Sequence, residues 1–257
     1  MTSAPSGSRI AAALMIEAAL KGFFSSLLAA CITSPAHAAQ EFSTKKCARF
    51  GQPEFVYSSG DSTIIDTDTL WFASTLEGMC ASGSRFKAGQ TLLIGPVALK
   101  MEAAEGKRLR LFEPDMKSMP FNYVDSVART LMLVRRQRET AVSLGVVKDI
   151  SFAPLHQPLL MTRDALSAKF ILMIRSHESG GTGWVLSDAQ GKKSLEDEEL
   201  QAMSVYEAAL ARPEILDFLA LPDSVTVAVG SRKEFVITKD GIVVEPAKDS
   251  YLDLLRK

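Results

Sequence analysis

The sequence predicts an α+β protein of two small units, each a mostly antiparallel sheet with packed helices. Three observations lead there. Apolar residues recur at helical spacing over Asp68–Ala81 and again from Asn122, whose stripe runs to a stop at Gly145. Short alternating runs bounded by Gly, Asp and Pro read as hairpin strands. Pro154 and Pro158 separate two sets of such elements near residues 150–158. The chain has 257 residues, 47% apolar and 23% charged, which excludes a disordered or collagen-like polymer. Lysine and arginine number 29 against 30 acids, for a net charge of −1, so bulk charge gives no reason to expect a nucleic-acid binder.

Residues 1–38 read as a secretory signal peptide. The apolar block of residues 22–33 follows Lys21 and precedes Ser34-Pro35-Ala36-His37-Ala38, whose small residues fit an A-x-A cleavage site before Ala39. The block is too short to span a bilayer. Two alternatives stay open. Leu28-Ala29-Ala30-Cys31 is a lipobox-like run, and lipidation at Cys31 would tether the protein to a membrane. The stretch before the block is long and contains Glu17, so Met15 competes with Met1 as the true start. The A-x-A reading is better placed relative to Pro35 and gives a periplasmic protein. Removing Arg9, Glu17 and Lys21 with the signal leaves net −2. It also leaves two cysteines, Cys47 and Cys80, an even number in an oxidising compartment, and a disulfide between them is expected.

Residues 39–60 are polar and carry Gly51, Pro53 and Gly60; they read as an irregular leader. A first unit over 61–150 then opens with the Asp68–Ala81 helix. Residues 91–103 and 108–113 follow as strands around Glu105-Gly106. In the helix from Asn122, Arg129, Arg135, Arg136 and Arg138 lie mainly off the apolar stripe, as a solvated face rather than a phosphate-binding patch. The second unit, 151–257, offers strands at 159–162, 169–175 and 183–186, then a charged loop over 192–199. Ser204 and Glu207 form a capping box, Pro213 starts a second short helix, and strands at 224–229 and 235–244 close the unit.

Signs of catalysis are missing. The sequence has no G-x-S-x-G elbow, and only His156 and His177 survive signal removal. Ser176-His177-Glu178 are adjacent in sequence, which in a strand sends neighbours to opposite faces. The run Ser179–Gly183 lacks a phosphate-loop lysine and leads into a strand. Neither a CxxC pair nor a Cys/His set with zinc spacing occurs, so no metal or cofactor is expected.

From Leu159 to Val229 the order of features is more specific. A strand leads to an acidic, glycine-containing turn, Glu178 to Gly183, and then to Trp184. A charged loop and a helix follow, and then the run Arg212-Pro213-Glu214-Ile215-Leu216-Asp217-Phe218-Leu219-Ala220-Leu221-Pro222. This order resembles the immunity protein thirty-three domain family of bacterial toxin–immunity systems, with departures at Thr182, where serine is usual, and Arg212, where an acid is usual. The resemblance implies a non-catalytic protein that binds and neutralises a cognate toxin, such as a type VI secretion effector. An envelope adaptor built on the same domain is the second reading. The motif residues Gly183, Trp184, Pro213, Ile215, Leu219 and Pro222 have a plain packing role in either case. Glu196-Asp197-Glu198-Glu199, with Glu178 nearby on its turn, would be the contact for a basic toxin surface.

Overall fold

Alternation of buried and open positions sorts the strands of the protein into two sheets. A computed structural model describes residues 39–61, 63–117, 119–176, 180–191 and 198–257. Residues 1–38, where the signal peptide is expected, with Met15 and Cys31, lie outside them.

The first sheet contains β1 (Gln40–Ser43), β2 (Phe55–Ser59), β3 (Thr91–Ile94), β4 (Val97–Ala104), β5 (Arg108–Pro114) and β6 (Tyr123–Val124). Their order is β1-β2-β5-β4-β3, with β6 beside β5. Helix α1 (Asp66–Ala81) connects β2 to β3, and α2 (Ala128–Ser143) leads toward the second sheet. That sheet contains β7 (Pro158–Thr162), β8 (Ile171–Arg175), β9 (Trp184–Asp188) and β10 (Leu200–Ser204). Helix α3 (Val205–Ala211) follows, then β11 (Val225–Val229), β12 (Phe235–Lys239), β13 (Ile242–Val243) and the terminal helix α4 (Tyr251–Arg256). The order is β10-β7-β9-β8-β11-β12-β13. All pairings are antiparallel except β2 with β5 and β7 with β9. The α+β class with two sheets read from the sequence is the class observed.

Five local expectations need correction. Residues 39–60 are not an irregular leader: β1 pairs with β2, and every residue of β2 is buried beside β5. Polar side chains disguise this segment because they fold its turn. The Thr44 hydroxyl donates to Glu54 and accepts from the Phe55 amide, while Glu54 also accepts from the Ala48 amide. The second correction concerns α2, which begins at Ala128 and not at Asn122. Tyr123-Val124 instead pair with the end of β5. The buried Glu113 carboxylate reaches from β5 to accept the amides of Arg129 and Thr130 and the Thr130 hydroxyl. A negative group at that end satisfies orphan amides and meets the positive end of the helix dipole.

Third, the 91–103 strand breaks at Gly95-Pro96 into the β3–β4 hairpin. Gly95 has φ +55°, and an added Cβ would lie 2.5 Å from Val134 of α2. Fourth, the arginine face of α2 is not simply solvated. Arg135 pairs with Asp68 of α1, Arg136 with Asp217, and Arg138 lies 6.0 Å from the Trp71 ring. Fifth, the segment opening at Pro213 is a 3-10 helix over Pro213–Asp217. Strand β10 and helix α4 were not foreseen. The capping box at Ser204 and Glu207 is present as expected.

One continuous apolar core runs from Phe55 and Leu99 in the first sheet to Trp184 and Val227 in the second. The expected Cys47–Cys80 disulfide ties the turn before β2 to the last turn of α1, with both cysteines buried and Cα atoms 5.4 Å apart. Closing a loop of this length stabilises by about 3–4 kcal/mol in the chain-entropy model. Replacing both cysteines by alanine is therefore expected to lower the urea-unfolding free energy by about that amount; an unchanged midpoint and slope would refute it.

Buried Tyr57 of β2 donates its hydroxyl proton to the Thr69 carbonyl of α1. Burial, reinforced by Glu77, raises its pKa from 10.0 to about 12. Between these values the folded protein holds a proton that the unfolded chain has lost. Stability is thus insensitive to this group below about pH 10 and falls as pH rises toward 12. Urea midpoints across that range should fall less steeply in Tyr57→Phe than in the wild type; equal slopes would assign the alkaline loss elsewhere.

Candidate functional site

The residues of the Trp184 motif meet in the core. Trp184 is fully buried, and its Nε1 donates to the Leu219 carbonyl at 3.0 Å. The Arg175 guanidinium lies 5.6 Å from its ring and donates to the Ser151 and Leu221 carbonyls. Ile215 and Leu219 are fully buried, the first in the 3-10 turn that Pro213 opens and the second just beyond it, before the chain leaves at Pro222. Gly183 has φ +77°, and an added Cβ would lie 2.8 Å from the Ser176 carbonyl oxygen. The two departures from the family pattern have partners of their own. Thr182 donates its hydroxyl proton to the Pro158 carbonyl, and Arg212 clasps the Leu166 and Ala168 carbonyls and Glu214.

What remains for contact with another molecule is the face of each sheet turned away from the core. These two faces differ in chemistry. On the first sheet the outward positions of β4 and β5 include Lys100, Glu102 and Arg110. Lys100 pairs with Glu102 at 2.6 Å, and Arg110 pairs with Glu41 and with Asp125. On the second sheet the same parity yields aliphatic side chains. Leu160, Val185 and Ile174 stand side by side across β7, β9 and β8. Next to them Leu172, Ala228 and Val236 stand across β8, β11 and β12. Leu160, Leu172 and Ile174 are half-buried, Val185 between them is buried, and Val236 is 49% exposed.

At one end of this face lies a cleft of about 210 Å3 between Thr162, Leu172, Ser187 and Asp188 on the strands and Asp164 and Glu198 on the loops. Asp188 accepts from the Gln190 amide, and Asp164 accepts from the Thr162 hydroxyl, so two of the three carboxylates are held in place. Of the acids expected to contact a partner, Glu198 lines this cleft. Glu199 lies beside it in the chain, 3.7 Å from Arg163, both highly exposed. Glu178, Glu196 and Asp197 lie outside the described residues, as does His177. Among the described residues no group of three or more His, Cys, Asp or Glu side chains could hold a metal ion. No described helix is long and apolar enough to cross a membrane. A larger cleft, about 650 Å3, opens between β1 and α1 on the first sheet, lined by Lys46, Tyr57 and Glu77 among others.

The second sheet is also where the chain is similar to known proteins. Residues 136–240 match the family model of the Imm33-like domain. The C-terminal part is thus similar to the Imm33-like domain, and the match is longer at both ends than the run from Leu159 to Val229. It takes in the second half of α2, including Arg136 with its partner Asp217, and it takes in β12. Comparison with curated proteins and with solved structures gives no match.

The aliphatic face escaped the sequence reading, although a signal for it exists. A strand with one solvated face alternates apolar and polar residues, whereas Ile171-Leu172-Met173-Ile174 is apolar at both parities. Sequence alone does not separate such a run from a strand buried on both sides. The core around Trp184 makes its own prediction. Gly183→Ala should cost about 1–3 kcal/mol, because alanine is strained at positive φ and its methyl would press on a carbonyl. Thermal melting monitored by tryptophan fluorescence would show this, and an unchanged melting temperature would mean the turn relaxes freely.

Proposed function

We propose that this protein is a non-catalytic immunity protein that works in the periplasm by binding and neutralising a cognate secreted toxin. The observation that carries the reading is the match to the Imm33-like domain over residues 136–240, placed on the sheet whose outward face is aliphatic. The motif residues serve the fold, which leaves the work to a binding surface rather than to a reaction centre. Export is supported by the apolar block and small residues that end at Ala38 and by the buried Cys47–Cys80 bridge, a bond that persists in oxidising compartments.

The test uses a secreted effector encoded beside this gene. Cells that export that effector to their periplasm should stop growing. Co-expression of the full-length protein should restore growth, while a version lacking residues 1–38, retained in the cytoplasm, should not. Rescue by the cytoplasmic version would overturn the location, and no rescue by either would overturn the immunity reading.

A further inference from the structure

The outward face of the second sheet combines an aliphatic band with charge at one edge. Six strands, β10 to β12, at a spacing of about 4.8 Å make it about 24 Å wide. Its two outward rows are mainly aliphatic, broken by Thr162, Ser187, Thr226 and Thr238. Contiguous apolar surface rimmed by polar residues often marks an interaction site, and a stable interface buries about 800 Å2 per partner. The aliphatic band thus suits the water-excluding centre of an interface whose rim is polar.

The rim is charged on one side. Asp164, Asp188 and Glu198 close the end of the face next to Leu172. A partner seated there gains if it brings lysine or arginine to that end, while a second copy of this chain brings the same carboxylates. The first sheet has the opposite design, with its outward charges already paired among themselves.

Resting on the immunity reading, we infer that the toxin is held by this outward face of β7, β8, β9 and β11. The occupant is a protein surface with an aliphatic centre, which lies on Leu160, Leu172 and Ile174. A basic edge of that surface docks at the Asp164, Asp188 and Glu198 cleft. The aliphatic centre governs how long the complex lasts, and the carboxylates govern how fast it forms.

The experiment measures binding of the full mature protein to the adjacent secreted effector by surface plasmon resonance, at low and high salt. Leu172→Arg should weaken binding at least 100-fold, mainly through faster dissociation. Asp188→Lys combined with Glu198→Lys should slow association about tenfold at low salt, a deficit that shrinks as added salt shortens the Debye length. Glu102→Lys, on the outward face of the first sheet, should bind as the wild type does. Circular dichroism and melting temperature confirm that each variant is folded, and the charge variant covers the case in which Leu172→Arg is not. Wild-type affinity in a folded Leu172→Arg, with wild-type association in the charge variant, would overturn the placement while leaving the immunity reading intact. A wild-type protein that does not bind or neutralise the effector would overturn that reading itself. Sedimentation of the protein alone supplies a third outcome: a dimer abolished by Leu172→Arg, with effector binding unchanged, assigns the face to self-association and overturns the inference.

Discussion

Asp217 lies almost fully buried at the end of the 3-10 turn, and three groups from distant parts of the chain converge on its carboxylate. Arg136 arrives from α2, Arg232 from the loop between β11 and β12, and the Tyr251 hydroxyl from α4. A buried carboxylate is costly unless its lone pairs are taken up, and removing one partner leaves an uncompensated charge. The site therefore acts as a constraint as much as a bond. Helix α2, the Pro213–Asp217 turn and α4 must arrive together for any one of them to be comfortable. The carboxylate also raises the pKa of the Tyr251 hydroxyl, after burial itself, which keeps that group a donor. Neighbouring contacts reinforce the arrangement: Gln137 donates to the Leu216 carbonyl, and the Ser143 hydroxyl accepts from the Leu252 amide.

With that junction in place, the motif around Trp184 has a clear purpose. Trp184 reaches the Leu219 carbonyl just beyond the turn, and Arg175 holds the Leu221 carbonyl while covering the indole ring. The inner face of the second sheet is thereby locked to the segment that carries Asp217. All of these interactions lie on one side of the sheet. They leave the aliphatic positions Leu160, Leu172 and Ile174 on the other side of the sheet.

Much of the fold was legible because its signals are local. The capping box at Ser204 and Glu207 follows from a few neighbouring residues, and the pairing of Cys47 with Cys80 from there being two cysteines after residue 38. The misreadings share a different cause. Strand β2 is short and surrounded by polar residues whose partners, Thr44 and Glu54, become evident only once the turn has closed. The start of α2 is set largely by Glu113, on a strand fourteen or more residues earlier, while the local sequence contributes the Ser126 hydroxyl that accepts the Ala128 amide. The arginines of α2 resemble a solvated face until Asp68 and Asp217 are brought to them. The candidate surface was half legible: the acids of the 196–199 run stood out, but the aliphatic centre was hidden in strands that read as core on both sides.

The two parallel pairings have a kinetic consequence. Phe55 lies beside Leu109, and Leu160 beside Val185, so the central strands of both sheets are joined by residues far apart along the chain. In each case the intervening antiparallel hairpin, β4–β5 or β8–β9, forms from neighbouring residues and can assemble first. The outer partner must then find its place by closing a long loop, which loses chain entropy before any contact repays it. Proteins built on such non-local contacts fold in milliseconds to seconds rather than microseconds. Through that interval β5 and β9 present open edges, and the burial of β2 on every residue is the step that removes the first of them.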